Sequence, residues 1–166
     1  MEAPSTPSTP RQRVIVVGVD GSPSSVTALQ LAARMVPLMG DVVHAVSVWQ
    51  YPLVFGIYTP IEWNYEELAG KALEQAMTDA FPGDAPCDVQ PRVIHGSPAE
   101  VLIEESRDAS MVVVGSRGHG GFSGLLLGSV SSAVAERAGC PVLVARGALQ
   151  PPEDQRNALS AVGVSA

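Results

Sequence analysis

Five short runs of aliphatic, mostly β-branched residues recur along this chain. They are residues 14–19 (VIVVGV), 41–49 (DVVHAVSVW), 89–95 (VQPRVIH), 111–114 (MVVV) and 140–145 (CPVLVA). A strand with one wet face alternates polar and apolar side chains, whereas a strand covered on both faces does not. Helical segments fill the intervals. Ser22 and Pro23 open the first, with Ser22 as cap and Pro23 at the first helical position, and Val26, Leu29, Ala33 and Val36 recur at helical spacing. Residues 61–81 carry Leu68, Leu73, Ala76, Met77 and Ala80 at the same period, and Pro82-Gly83 stops them. Ser97 and Glu100 have capping-box spacing around Pro98, opening a helix to about residue 107. The last helix, 129–138, opens on Ser129. Strand and helix in strict alternation imply a parallel sheet with helices on both faces. Pro91 makes 89–95 an edge strand, because proline donates nothing to a ladder.

Between the fourth strand and the last helix lies GSRGHGGFSGLLLGSV, residues 115–130, with glycines at 115, 118, 120, 121, 124 and 128. No strand or helix interior tolerates that density. Glycines let backbone amides come close to a ligand, and the following helix N-terminus offers unpaired N–H groups and a positive dipole end. The stretch reads as a loop for an anionic group such as a nucleotide phosphate.

In open parallel sheets, ligands bind beyond the C-terminal strand ends where the winding reverses. Asp20 ends the first strand in GVDGSP and Gly115 ends the fourth, so the two face one crevice if those strands are neighbours. Two readings stand for Asp20: a ligand contact, or a side chain that bonds the turn amides. Two phosphate loops are excluded. A Walker loop needs a lysine after its glycines, and the single lysine, Lys71, falls in a helix. The dinucleotide fingerprint should follow the first strand, where GVDG lacks its Gly-x-Gly.

With 166 residues, 46% of them hydrophobic and 16% charged, the chain is expected to form one domain, residues 12–147. Residues 1–11 repeat Ser-Thr-Pro and read as a disordered tail; residues 148–166 turn polar and read as loosely ordered. A net charge of −7 argues against nucleic acid and anionic membranes as partners, and no apolar run reaches the roughly 20 residues of a membrane span. MEAPSTPSTPRQR lacks the basic start and apolar core of a secretory signal, so a cytoplasmic protein is expected. Cys87 and Cys140 have no metal or redox spacing and read as free thiols, Cys140 buried and Cys87 in a loop. His44 and His95 fall at strand positions and read as structural; Glu104 and Glu105 read as a solvated face. Residues 49–65 gather most of the aromatics between prolines, either as a binding lid or as a loop tucked on the sheet edge.

The glycine spacing is more specific than the density. Gly115, two residues, Gly118, nine residues, then Gly128-Ser129 is G-x2-G-x9-G-[S/T], and the chain resembles the ATP-binding universal stress proteins (UspA-like) over about residues 14–146. The resemblance also rests on VIVVGVDGSPSS, HAV, HGSPAEVL and the order of elements. It implies a three-layer α/β/α sandwich, Rossmann-like and of the adenine nucleotide alpha hydrolase kind, with a five-stranded parallel sheet in order 3-2-1-4-5. It implies that Gly115, Gly118, Gly128, Ser129 and Val130 hold the triphosphate of ATP, and that Asp20 contacts ribose, phosphate or Mg²⁺. It also implies that the backbone of Ala45 reads adenine. Arg117 and His119 lie inside the loop, with no role assigned. A homodimer paired through residues 140–146 follows too, which would cover an apolar edge. The function so implied is a regulatory ATP-binding module of stress adaptation, with slow or no hydrolysis. The alternatives are a metal-dependent ATPase or nucleotidyl-transfer enzyme, a cyclic-AMP binder, or an interaction protein presenting the aromatic loop.

Overall fold

The structure is a computed structural model that describes residues 11–51, 53–54, 57–58, 64–118 and 127–147. In chain order the elements are β1 (Val14–Gly18), α1 (Pro23–Met39), β2 (Val42–Trp49), β3 (Leu53–Val54), β4 (Ile57–Tyr58), α2 (Tyr65–Ala80), β5 (Val89–His95), α3 (Pro98–Glu105), β6 (Met111–Gly115), α4 (Ser129–Arg137) and β7 (Val142–Ala145). Five strands form a parallel sheet in the order β5-β2-β1-β6-β7. Counting only these five, that is 3-2-1-4-5, with the winding reversed between β1 and β6. Apart from Arg11, the two tails expected at 1–11 and 148–166 lie outside the described residues.

The continuous apolar runs are explained by what covers them. One face of the sheet, with Ile15, Val17, Val43, Ala45 and Val113, packs on Ala28, Leu29 and Ala32 of α1 and Leu73 and Ala76 of α2. The opposite face, with Val16, Val46, Val112 and Val114, packs on Leu102 and Ile103 of α3 and Val134 of α4. Alternate side chains of one strand therefore feed two cores, and both sets are mostly apolar.

Three local expectations are corrected. Ser97 is the N-cap of α3 and Pro98 stands in its first turn, but the serine side chain makes no capping bond. Glu100 reaches instead across to α4, where both its oxygens take the Arg137 guanidinium at 2.7 and 3.1 Å; a bidentate ion pair outcompetes a reach back to one backbone N–H. Glu105 is not a solvated residue, since it pairs with Arg92 of β5 while Glu104 turns outward to Arg107. Cys140 is half-buried rather than buried, as is Cys87. Within 49–65 a short antiparallel hairpin, β3–β4, pairs Leu53 with Tyr58 and Val54 with Ile57. Beside it, Trp49 sits 4.5 Å from His95 and 5.4 Å from Tyr51, ring centre to ring centre, and Tyr51 lies 6.0 Å from Tyr65. Phe55 and Trp63 lie outside the described residues.

Candidate functional site

A cavity of about 560 Å³ opens at the C-terminal ends of β1, β2 and β6, between α3 and the start of α4. Its floor is apolar, built from Val46, Val48, Val114 and Leu102, and its rim is polar, built from Asp20, Arg117, Gly118 and Gly128 through Ser131. It is the crevice at the winding reversal, where β1 and β6 run side by side and their following loops diverge.

Asp20 stands where the first strand ends, exposed at the rim. Its Oδ1 accepts the Ser22 N–H at 3.0 Å and the Ser22 hydroxyl at 2.6 Å, closing a turn in which Gly21 takes a φ of +82°. Of the two sequence readings of Asp20, the turn contact is the one observed, at Oδ1, while Oδ2 is directed at Gly118. A Cβ at Gly118 would stand 2.5 Å from that Oδ2, so residue 118 approaches Asp20 as only a glycine can.

Gly115 has a different neighbour. A Cβ there would lie 2.4 Å from Ser24 Oγ and 2.9 Å from the Ser24 carbonyl carbon, so its missing side chain lets the loop lie against α1. Gly128 is the N-cap of α4, with φ −73° and ψ 167°, values open to any residue. A Cβ on it would meet only ordinary contacts, the nearest at 3.6 Å. Its own N–H is spent on the Ser116 carbonyl at 2.7 Å. No side chain caps α4. The Ser129 and Val130 N–H groups at its first turn therefore look onto the cavity without a protein acceptor among the described residues. This is the end of a helix that accepts an anion.

Ala45 is not brought to the cavity. It is fully buried in the core on the opposite face, under α1 and α2. Its backbone is committed as well. Val43 N–H bonds Asp88 and Trp49 C=O accepts Gly96, so the odd residues of β2 bond toward β5. Even residues bond toward β1, as Val42 N–H to Arg13 and Val46 C=O from Val19 show. β1 leaves the sheet at that point, while β2 runs on to Trp49. Val48 therefore turns its N–H and C=O toward β1 and finds no backbone partner there among the described residues. A donor and acceptor side by side at the cavity floor suit the edge of a heterocyclic base. Sequence reasoning stopped at the string HAV and missed Val48; counting register from the end of β1 finds it.

Arg117 lines the cavity too, and His119 with Gly120, Gly121 and Gly124 lies outside the described residues. Among the described residues no group of three or more His, Cys, Asp or Glu side chains is arranged to hold a metal ion. His44 is remote from the site, facing α3, with Arg92 Nη1 3.4 Å from its Nδ1; burial first, and Arg92 second, hold its pKa below the ordinary imidazole value.

Comparison with known proteins agrees with this architecture. The family model of the universal stress protein family matches residues 12–146. A universal stress protein of Mycolicibacterium smegmatis is 40% identical over 135 residues, which are 80% of this chain and 45% of that one. One from Mycobacterium tuberculosis is 38% identical over 148 residues, 84% of this chain and 46% of its own. The chain thus spans about half the length of these curated relatives. Among solved structures, the universal stress protein UspA from Lactobacillus plantarum superposes with a TM-score of 0.64 at 21% identity, covering 83% of this chain and all of that one. A universal stress protein in complex with cAMP superposes with a TM-score of 0.60 at 26% identity, covering 81% of this chain and 97% of that one. With the matched model covering every described element, the chain belongs to the universal stress protein family.

Proposed function

We propose that this chain binds an adenine nucleotide, ATP foremost, as a regulatory module of stress adaptation rather than as a rapid catalyst. The observation that carries the reading is the opposition, across one cavity, of an uncapped α4 N-terminus and the unpaired backbone pair of Val48. The apolar floor accepts the base, with Val48 reading its edge. The Ser129, Val130 and Gly118 amides accept the phosphates, and Asp20 Oδ2 accepts a ribose hydroxyl or stands beside Mg²⁺. As the sole carboxylate lining the cavity among the described residues, Asp20 would be the ligand these residues offer that ion, with phosphates and water beside it. Gly128 fits the same picture, since neither its backbone angles nor its described neighbours demand a glycine; a phosphate lying on its Cα would.

The described lining supports the reading of slow turnover. Histidine, cysteine and lysine are absent from it among the described residues, and Asp20 already gives one oxygen to a turn. The lining therefore offers an anion-binding grip but, among the described residues, no side chain free to act as general base. A second reading, binding of cyclic AMP, is favoured by the relative in complex with cAMP. The two are separated by competition calorimetry. The expected result is saturable binding of ATP that cyclic AMP displaces only weakly. Preference for cyclic AMP would favour the second reading, and no adenine nucleotide bound at millimolar concentration by folded protein would overturn both. A homodimer paired through β7, residues 140–146, belongs to the same proposal and is supported by the partly exposed valines of that strand.

A further inference from the structure

Ser24 stands in the first turn of α1 and is nine-tenths buried there, an unusual depth for a serine at a helix start. Its hydroxyl donates to the Arg117 carbonyl at 2.6 Å. The neighbouring Ser22 hydroxyl lies 3.3 Å from the same carbonyl, but its single proton goes to Asp20 Oδ1 at 2.6 Å. The bond from Ser24 is therefore the one that fixes Arg117. Gly115 makes the approach feasible, because the space of its Cβ is taken by Ser24 itself.

The carbonyl of residue 117 and the N–H of residue 118 belong to one planar trans peptide and point in opposite directions. A carbonyl held against α1 therefore aims the Gly118 N–H the other way, toward α4. Two observations agree. The Gly118 nitrogen lies 3.7 Å from the position a Gly128 Cβ would take, on the cavity side. The preceding carbonyl, Ser116, points toward α4, where it accepts Gly128 N–H and the Ser131 hydroxyl, as alternation along an extended chain requires. The Gly118 N–H has no acceptor among the described residues.

We propose that Ser24 is a positioning residue of the phosphate site: its hydroxyl, by holding the Arg117 carbonyl, aims the Gly118 amide at the anion seated on α4. This rests on the nucleotide reading above, and its consequence is specific to phosphate. Ser24 is not among the residues that line the cavity, so its loss weakens only the phosphate part of binding.

The test compares ATP with adenosine. Ser24→Ala should lower ATP affinity about 10-fold or more, the worth of one charge-assisted hydrogen bond, and leave adenosine affinity unchanged. Ser106→Ala serves as control, since it removes another buried hydroxyl, at the far end of α3, and should change neither affinity. An equal loss for ATP and adenosine in Ser24→Ala would mean general damage and overturn the proposal, as would no loss at all. The amide NMR signals of ligand-free protein give a readout that a loss of nucleotide binding cannot obscure. In Ser24→Ala the Gly118 signal should move, while Gly139, whose N–H bonds Ser106, should stay. If the wild type binds no nucleotide, the functional reading fails, and the Gly118 signal alone decides whether Ser24 sets that amide: a moved signal upholds the aiming, and an unmoved one refutes it.

Discussion

Gly115, Gly118 and Gly128 share one sequence motif but answer to different neighbours. Gly115 meets Ser24, Gly118 meets Asp20 Oδ2, and Gly128 meets nothing closer than ordinary contact. Their substitutions should therefore fail differently. Gly128→Val is expected to keep the melting temperature of the wild type and to lose ATP binding by calorimetry. Gly115→Val must push the loop off the backbone of α1, and its melting temperature should fall by several degrees, the usual response to about 1–3 kcal/mol of overpacking. Equal thermal loss in both variants would refute this division. Spacing alone made the three equivalent, since a motif records where glycines stand and not what presses on them. Asp20 was legible because strand ends in a parallel sheet face the crevice. Val48 was not, because finding it requires knowing that β1 ends before β2 does.

The helices and strands themselves were mostly legible, because buried strands feed two cores and α1 and α3 start on Ser-Pro. What escaped were contacts between elements distant in sequence. Glu100 shows this on α3, where Arg137 of α4 claims a carboxylate whose spacing suggested a capping box. The seam of β2, β5 and α3 shows it again. There His44, Arg92 and Glu105 meet, and Asp88 and Gln90 act on the same imidazole. Burial and Arg92 lower the His44 pKa in the fold, whereas Glu105, Asp88 and Gln90 raise it and are outweighed. The unfolded chain then binds more protons than the folded one below the ordinary value of 6.5, so stability should be full above that pH and decline as pH falls through it toward the folded pKa. His44→Gln should flatten this decline in urea titrations run at about pH 7.5 and 5.5, the range in which an imidazole titrates. A slope identical to wild type would show that His44 is not its source.

On the scale of the whole molecule, the two sheet edges are unlike. On β7 the carbonyls of Pro141 and Ala145 bond to β6, so the intervening even residues, Val142 and Val144, turn their backbone outward. Val144→Pro removes one outward donor and spares the ladder to β6. If copies pair through this strand, light scattering should report a dimer for the wild type and a monomer for the variant, with the folded far-ultraviolet spectrum retained. A variant still dimeric would move the interface elsewhere. The pairing and its stoichiometry rest on the family resemblance alone, since the residues themselves show an apolar edge but not what covers it.

The other edge belongs to β5, and Pro91 sits at its middle, paired in register with Ala45. Because Asp88 bonds inward to Val43, the odd residues of β5 face outward, and the donor that proline lacks is missing from the open side. A sheet able to recruit strands at both margins can add copies without end, which is how filaments grow. Here one margin is interrupted. Two chains meeting through β7 would use the one receptive margin each possesses, and growth would stop there. In such a dimer Pro91 would end the growth of the sheet, at a margin remote from the cavity and independent of what fills it.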